Sequence, residues 1–241
     1  MTPPGVDSDT FEAAIAAVGR FAAERIRPGM RLGLGTGRTA TAFLDALEPR
    51  LTGDLPLVAV CTSKRTEERA RAMGITILES TEEPLDLDID GADEIDPQLN
   101  LIKGAGGAMV REKIVAERSR RFWVVADSGK LVARLGERQP LPLEVLPFDW
   151  RGTAARVRAV SGGTPCLRGG DQPFVTDNGN YVLDLQLPPA APEPTRLARQ
   201  LEAIPGVLGH GLFLQTATAA IVSDGRSVEV RGDLDRVRPG I

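Results

Sequence analysis

Residues 31–47 constrain the fold more than any other segment. A short apolar run, Arg31–Leu34, leads into Gly33-Leu34-Gly35-Thr36-Gly37-Arg38-Thr39-Ala40, after which Ala42, Phe43, Ala46 and Leu47 recur at helical spacing. Strand, glycine loop and helix in that order open a βαβ unit. Parallel strands need long crossover connections, so a chain that repeats this alternation is committed to a parallel sheet covered by helices. The alternation does repeat: the pattern predicts strands over 57–61, 75–78, 85–90 and 122–126, and helices over 64–73 and 108–118. A first helix is expected over 11–26, with Phe11, Ile15, Val18 and Ala22 on one face and Ser8 or Asp9 as its cap.

Beyond residue 126 the texture changes. Pro140-Leu141-Pro142-Leu143-Glu144-Val145-Leu146-Pro147 reads as a proline-punctuated strand at a domain boundary. A helix over 152–160 follows, then strands over 174–176 and 181–187 flanking Asp177-Asn178-Gly179-Asn180, because Asn-Gly accepts the positive φ angles of a tight hairpin turn. With a helix over 195–203, the order suggests a small α+β, ferredoxin-like insertion. Strands over 219–222 and 227–230 then rejoin the first sheet. The expected fold is α/β: a mostly parallel sheet domain (1–136 plus 212–241) with a smaller α+β domain (137–211).

Composition excludes several functions. A net charge of -4 and 4% aromatic residues give neither the basic footprint nor the stacking platform of a nucleic-acid binder. Every long apolar stretch is interrupted by charge, so no membrane span is expected. Residues 1–5 lack a basic region followed by an apolar one, which predicts a cytoplasmic protein. Cys61, Cys166 and the single His210 fall short of a closed zinc site. Only four of 29 basic residues are lysine, at 64, 103, 113 and 130, so a lysine marks a place where a compact ammonium is wanted.

Three segments carry chemistry. Residues 33–40 set glycines and two threonine hydroxyls ahead of a helix N-terminus, which attracts an anion such as phosphate. The spacing is neither a dinucleotide fingerprint nor a P-loop. Asp86-Leu87-Asp88-Ile89-Asp90-Gly91 imitates the start of a calcium loop, but Pro97 occupies the twelfth position, where a bidentate Glu is needed. No metal is expected; Asp90 and Asp93 suit sugar hydroxyls instead. Lys103-Gly104-Ala105-Gly106-Gly107-Ala108 then puts an ammonium beside a turn able to aim backbone N–H groups at an oxyanion. Glu112, one helical turn beyond Ala108, is placed to act as a general base whose pKa burial would raise. His210, flanked by glycines and without a Gly-x-Ser-x-Gly elbow in the chain, makes no hydrolase triad.

Together with Thr62-Ser63, Asp90-Gly91-Ala92-Asp93-Glu94-Ile95, Ile102-Lys103-Gly104, Arg111-Glu112-Lys113-Ile114, Pro140 to Val145, Thr176-Asp177-Asn178-Gly179-Asn180, Pro205-Gly206-Val207 and Gly211-Leu212-Phe213, these segments resemble ribose-5-phosphate isomerase of the A type, in order and over nearly the whole chain. The resemblance implies that the larger domain is a Rossmann-like catalytic domain, and that the protein is a homodimer or homotetramer that interconverts ribose 5-phosphate and ribulose 5-phosphate in the non-oxidative pentose phosphate pathway, without metal or organic cofactor. It also implies that Glu112 moves a proton between C2 and C1, while Asp90, Asp93 and Lys103 bind the open-chain sugar and its enediolate. Thr36, Gly37, Arg38, Thr39, Gly91, Ala92, Gly104, Ala105, Gly106 and Lys130 match the remaining substrate-binding positions.

The chain departs from the family at three places. Arg38 stands where serine is frequent, the first helix lacks a common lysine, and Ala105 replaces a usual glycine. The absent lysine suggests that Arg38 supplies phosphate charge instead. A sugar-phosphate sensor of the DeoR type, whose effector domain resembles this fold, is the alternative. It needs a DNA-binding domain, for which the residues before Gly33 are too few, and it has no use for Glu112.

Overall fold

The computed structural model describes residues 8–51 and 56–241. The chain forms two compact units: Met1–Ala92 with Arg111–Leu131 and Gln215–Ile241, and Asp93–Val110 with Val132–Leu214.

The first unit is built on a seven-stranded sheet. From edge to edge its strands are Val228–Gly232, Ala219–Ser223, Phe122–Asp127, Leu87–Asp90, Arg31–Leu34, Val58–Cys61 and Thr76–Ile77. All neighbours are parallel except the first pair. Phe122–Asp127 is buried at every position, which explains its unbroken apolar run: a strand covered on both faces has no solvent side to make polar. The chain leaves Arg31–Leu34 toward one edge of the sheet and Leu87–Asp90 toward the other. The loops after these two neighbouring strands therefore open a crevice at the topological switch point, where open α/β sheets bind ligands.

Helix Ser8–Ala23 buries Phe11, Ile15, Val18 and Ala22, as the spacing predicts. Ser8 and Asp9 do not cap it. Both already lie in its first turn, where Asp9 complements the dipole, and the capping position falls outside the described residues. Residues 1–5, read above for a targeting signal, also lie outside them. No described helix is long and apolar enough to cross a membrane.

The second unit contains an antiparallel sheet ordered Val207–His210, Leu141–Val145, Tyr181–Gln186, Thr164–Leu167. With helices Trp150–Ser161 and Pro194–Glu202 the chain order is strand, helix, strand, strand, helix, strand, the ferredoxin-like arrangement. One strand differs from the sequence reading. The partner of Tyr181–Gln186 is Thr164–Leu167, whereas Val175 keeps only an isolated bridge to Tyr181. The expected hairpin turn does form, with Gly179 at φ 82° and Thr176 N donating to Asn180 O at 2.9 Å. What holds that turn is Glu144, whose Oε1 accepts hydrogen bonds from Thr176 Oγ1, Asn178 Nδ2 and Asn180 Nδ2 at 2.8–3.0 Å. A second sheet of three two-residue strands, Leu212–Phe213, Leu101–Ile102 and Glu94–Ile95, completes the unit.

Candidate active site

In the first unit, Asp88 and Asp90 project from the same face of Leu87–Asp90 and are fully buried. Asp90 Oδ1 accepts the backbone N–H groups of Thr36, at 3.0 Å, and Gly91, at 2.7 Å. Gly35 makes this possible, because a Cβ there would stand 2.1 Å from the Asp90 carboxyl carbon. Behind the loop lies a cluster of hydroxyls. Thr36 Oγ1 is 2.7 Å from Thr62 Oγ1 and donates to Ser63 Oγ at 2.9 Å, while Thr66 Oγ1 donates to Gly35 O at 2.9 Å. Ser63 Oγ also caps helix Lys64–Ala72 by accepting Thr66 N. The Thr62-Ser63 pair thus shapes the glycine loop from the neighbouring strand.

Helix Arg38–Leu47 begins immediately after Gly37, with no side-chain cap, so its first-turn N–H groups have no intrahelical partners. Thr39 faces Gly91, its Cβ 4.0 Å from where a Gly91 Cβ would be. The Arg38 guanidinium is engaged elsewhere: it pairs with Glu12 and lies 4.1 Å from the centre of the Phe11 ring. Gly37 and Arg38, with Glu12, Arg20, Asp45 and Arg65, line a cleft of about 590 Å³ that includes neither Asp90 nor Glu112. Glu112 is 4% exposed in helix Met109–Glu117. Lys130 closes the short turn Ser128–Lys130, which Asp127 holds by accepting Gly129 N at 3.0 Å. Gly91 and Ala92 are half-buried at the end of Leu87–Asp90. Asp86 accepts Arg31 N at 2.8 Å, and among the described residues no group of three acidic, cysteine or histidine side chains could hold a metal ion.

In the second unit, Lys103 is 2% exposed, with Nζ 5.6 Å from the centre of the Phe213 ring. Gly104 and Gly107, at φ 105° and 82°, make a tight turn closed by Gly107 N to Gly104 O at 2.9 Å. A Cβ on Gly107 would strike the Phe174 ring at 2.4 Å. Ala105 is not among the residues of positive φ, so alanine in place of glycine costs nothing there. Its N–H donates to Asp93 Oδ2 at 2.9 Å. Ala105 and Gly106 are exposed, and no acceptor for Gly106 N–H exists among the described residues.

Sequence reasoning passed over two polar groups in this unit. Glu94, almost fully buried, accepts the N–H groups of Gly136, Arg138 and Gln139 at 2.6–2.8 Å. Its place in Asp93-Glu94-Ile95-Asp96, one acid among several, gives no local signal of burial. Arg168 touches the turn itself, and nothing in its local sequence distinguishes it from the other arginines.

A profile of the family ribose 5-phosphate isomerase A (phosphoriboisomerase A) matches residues 58–227. A ribose-5-phosphate isomerase A from Roseiflexus sp. (strain RS-1) is 50% identical over 207 residues, 84% of this chain and 88% of the relative. One from Synechococcus sp. (strain JA-3-3Ab) is 45% identical over 217 residues, 88% of this chain and 94% of the relative. The chain belongs to the ribose 5-phosphate isomerase A family. Solved structures agree on the fold. Ribose 5-phosphate isomerase A from Methanocaldococcus jannaschii has a TM-score of 0.85 at 32% identity, covering 91% of this chain and 98% of that one. A D-ribose-5-phosphate isomerase in complex with phospho-erythronic acid has a TM-score of 0.84 at 34% identity, covering 92% and 98%. The mostly parallel sheet accompanied by separate antiparallel sheets is thus the fold of ribose 5-phosphate isomerase A, as the sequence resemblance implied.

Proposed function

We propose that this protein interconverts ribose 5-phosphate and ribulose 5-phosphate through an enediolate. The reading is carried by family membership over more than four-fifths of the chain, with the family's motif residues in place. A proton next to a carbonyl is weakly acidic, so the reaction requires a base and a means of stabilising the enediolate oxygen. Glu112 is the proposed base, buried in helix Met109–Glu117 where it is shielded from bulk water. Asp90, fixed by two amides, and Asp93, fixed by one, are the proposed acceptors for sugar hydroxyls. Lys103 and the backbone donors of Gly104 and Gly106 receive the oxyanion, while the Ala105 N–H holds Asp93 beside them. Donors fixed in advance make metal or organic cofactors unnecessary.

The phosphate is assigned to the N-terminus of helix Arg38–Leu47, with Gly37, Thr39 and Lys130, while Gly91 and Ala92 border the sugar. Thr36 acts by holding Asp90. Residue 38 contributes its backbone N–H, because its guanidinium is committed to Glu12 and Phe11. A backbone role also accounts for the frequent serine at this position. Two further parts of the reading rest on the resemblance, a homodimer or homotetramer and the non-oxidative pentose phosphate pathway, and two on the sequence pattern, a cytoplasmic location and the division into 1–136 plus 212–241 and 137–211.

The decisive assay incubates ribose 5-phosphate with the protein and EDTA and follows the ketose. Conversion is expected; its absence overturns the isomerase reading. General-base action contributes roughly 10²- to 10⁴-fold, so Glu112→Gln is expected to keep the fold, by circular dichroism, and lose turnover on that scale. Near-wild-type turnover in that variant removes Glu112 from the role.

A further inference from the structure

Arg168 takes no part in the proton transfer, yet its guanidinium reaches the backbone of the turn that carries the proposed enediolate donors. Nη1 donates to Ala105 O at 2.9 Å and to Gly104 O at 3.3 Å. The remaining nitrogens form a fork on Asp184, Nε to Oδ2 at 2.9 Å and Nη2 to Oδ1 at 2.5 Å. A bidentate pair of this kind fixes the plane of the guanidinium as well as its position. The Arg168 and Asp184 side chains are only 18% and 25% exposed. Phe174 completes the clamp: its ring centre is 5.6 Å from the guanidinium carbon, and the ring covers Gly107. The clamp is itself anchored to the antiparallel sheet, with Arg168 N donating to Val182 O and Phe174 N to Arg168 O, both at 2.9 Å.

In a trans peptide the carbonyl and the following N–H point in opposite directions. Holding Gly104 O and Ala105 O on the Arg168 side therefore aims the N–H groups of Ala105 and Gly106 to the other side. The first of these holds Asp93, and the second is exposed and without an acceptor among the described residues. A cation on the two carbonyls also polarises both peptide groups and strengthens their N–H donors. Oxyanion stabilisation depends on donors aimed in advance at the developing charge, and Arg168 does the aiming.

We propose that Arg168, oriented by Asp184, is a positioning residue for catalysis: it sets the direction and donor strength of the Ala105 and Gly106 amides and, through Ala105, the placement of Asp93. The inference rests on the isomerase reading. It is tested by steady-state kinetics on ribose 5-phosphate for the wild type, Arg168→Ala, Arg168→Lys and Asp184→Asn, each with and without millimolar guanidinium chloride, and by inhibition with phospho-erythronic acid, a carboxylate whose paired oxygens imitate an enediolate.

Misaimed donors cost transition-state binding, so Arg168→Ala is expected to lower kcat by about 10- to 100-fold with KM changed less than about threefold. Affinity for phospho-erythronic acid should fall in parallel, and added guanidinium should restore part of kcat. Lysine offers a point charge without a fork, so Arg168→Lys should lose kcat without rescue as complete as that of the alanine variant. If Arg168→Ala does not fold, the lysine and Asp184→Asn variants carry the test. A kcat within about twofold of wild type in every folded variant, or a loss confined to KM, overturns the positioning role while leaving the isomerase reading intact. A loss of melting temperature matched by no guanidinium rescue assigns Arg168 a structural role and overturns it as well. A wild type that does not convert the sugar overturns both readings.

Discussion

The loop at 33–37 and the turn at 104–107 use glycine for opposite ends. In the first, Gly35 makes room for a charge: the missing Cβ is what lets Asp90 reach the backbone of Thr36. In the second, Gly107 takes a left-handed conformation under an aromatic ring, and the polar groups that matter are those of the peptide itself. One glycine is tied to a buried carboxylate, the other to a scaffold. The difference teaches that the first site cannot be repaired by changing its neighbour, because the neighbour is the proposed sugar-binding carboxylate, whereas the second can.

Gly35→Ala should break this comparison most severely. The new methyl must displace the Asp90 carboxyl, so a loss of about 10²-fold in kcat/KM is expected together with an overpacking cost of about 1–3 kcal/mol in denaturant unfolding. Wild-type kcat/KM would mean that Asp90 is not held where the substrate needs it. Gly107→Ala should be milder and partly reversible. Its left-handed φ costs about 1–2 kcal/mol, and the clash with Phe174 adds to that. In the double variant with Phe174→Ala the clash disappears, so a double-mutant cycle should show positive coupling; strict additivity would contradict the clamp. Arg38→Ser should be nearly silent, because an exposed ion pair with Glu12 contributes little: less than about a twofold change in KM. A larger rise in KM would return the phosphate charge to the Arg38 side chain.

The two thiols report on the two regions with the least perturbation. Cys61 ends the strand that leads to the Thr62 and Ser63 hydroxyls, and burial first, then Glu67, pushes its pKa up to about 12. Cys166 is exposed on the strand that leads to Arg168. Iodoacetamide at pH 8 should therefore label Cys166 and spare Cys61 until the protein unfolds. Because folding favours the neutral Cys61 thiol, its contribution to stability is complete below the ordinary thiol pKa and is lost as the pH rises toward 12. Equal labelling of both thiols in the native protein would show that the hydroxyl cluster behind the first loop opens readily.

Much of the molecule is legible in the sequence because its signals are local. Arg31–Leu34 and Phe122–Asp127 announce themselves by apolar runs bounded by glycine or charge, and Asn178-Gly179 announces a turn. Glu112, Asp90 and Lys103 stand out in the sequence because their motifs are dense, and all three side chains are buried. The strand Thr164–Leu167 is missed because Pro165 and Cys166 dilute its pattern, while Phe174–Thr176, richer in strand formers, spends its residues on covering Gly107 and binding Glu144. The two-residue strands at 94–95, 101–102 and 212–213 are too short to show any period. Arg168 meets Gly104 and Ala105 across more than sixty positions of chain, a pairing that no window can register.

The order of the seven-stranded sheet has a further consequence, for the birth of the protein. Ala219–Ser223 is hydrogen-bonded in parallel to Phe122–Asp127, and Trp123 Nε1 donates to Leu234 O across 111 positions of chain. During synthesis the nascent sheet must therefore wait, one side of Phe122–Asp127 unpaired, until residues 219–234 have left the ribosome. Such distant parallel pairing is slow and leaves an apolar strand edge open to other chains. Expression at lower temperature or with added chaperone should raise the yield of native protein more than any change to the glycine loops at 33–37 and 104–107.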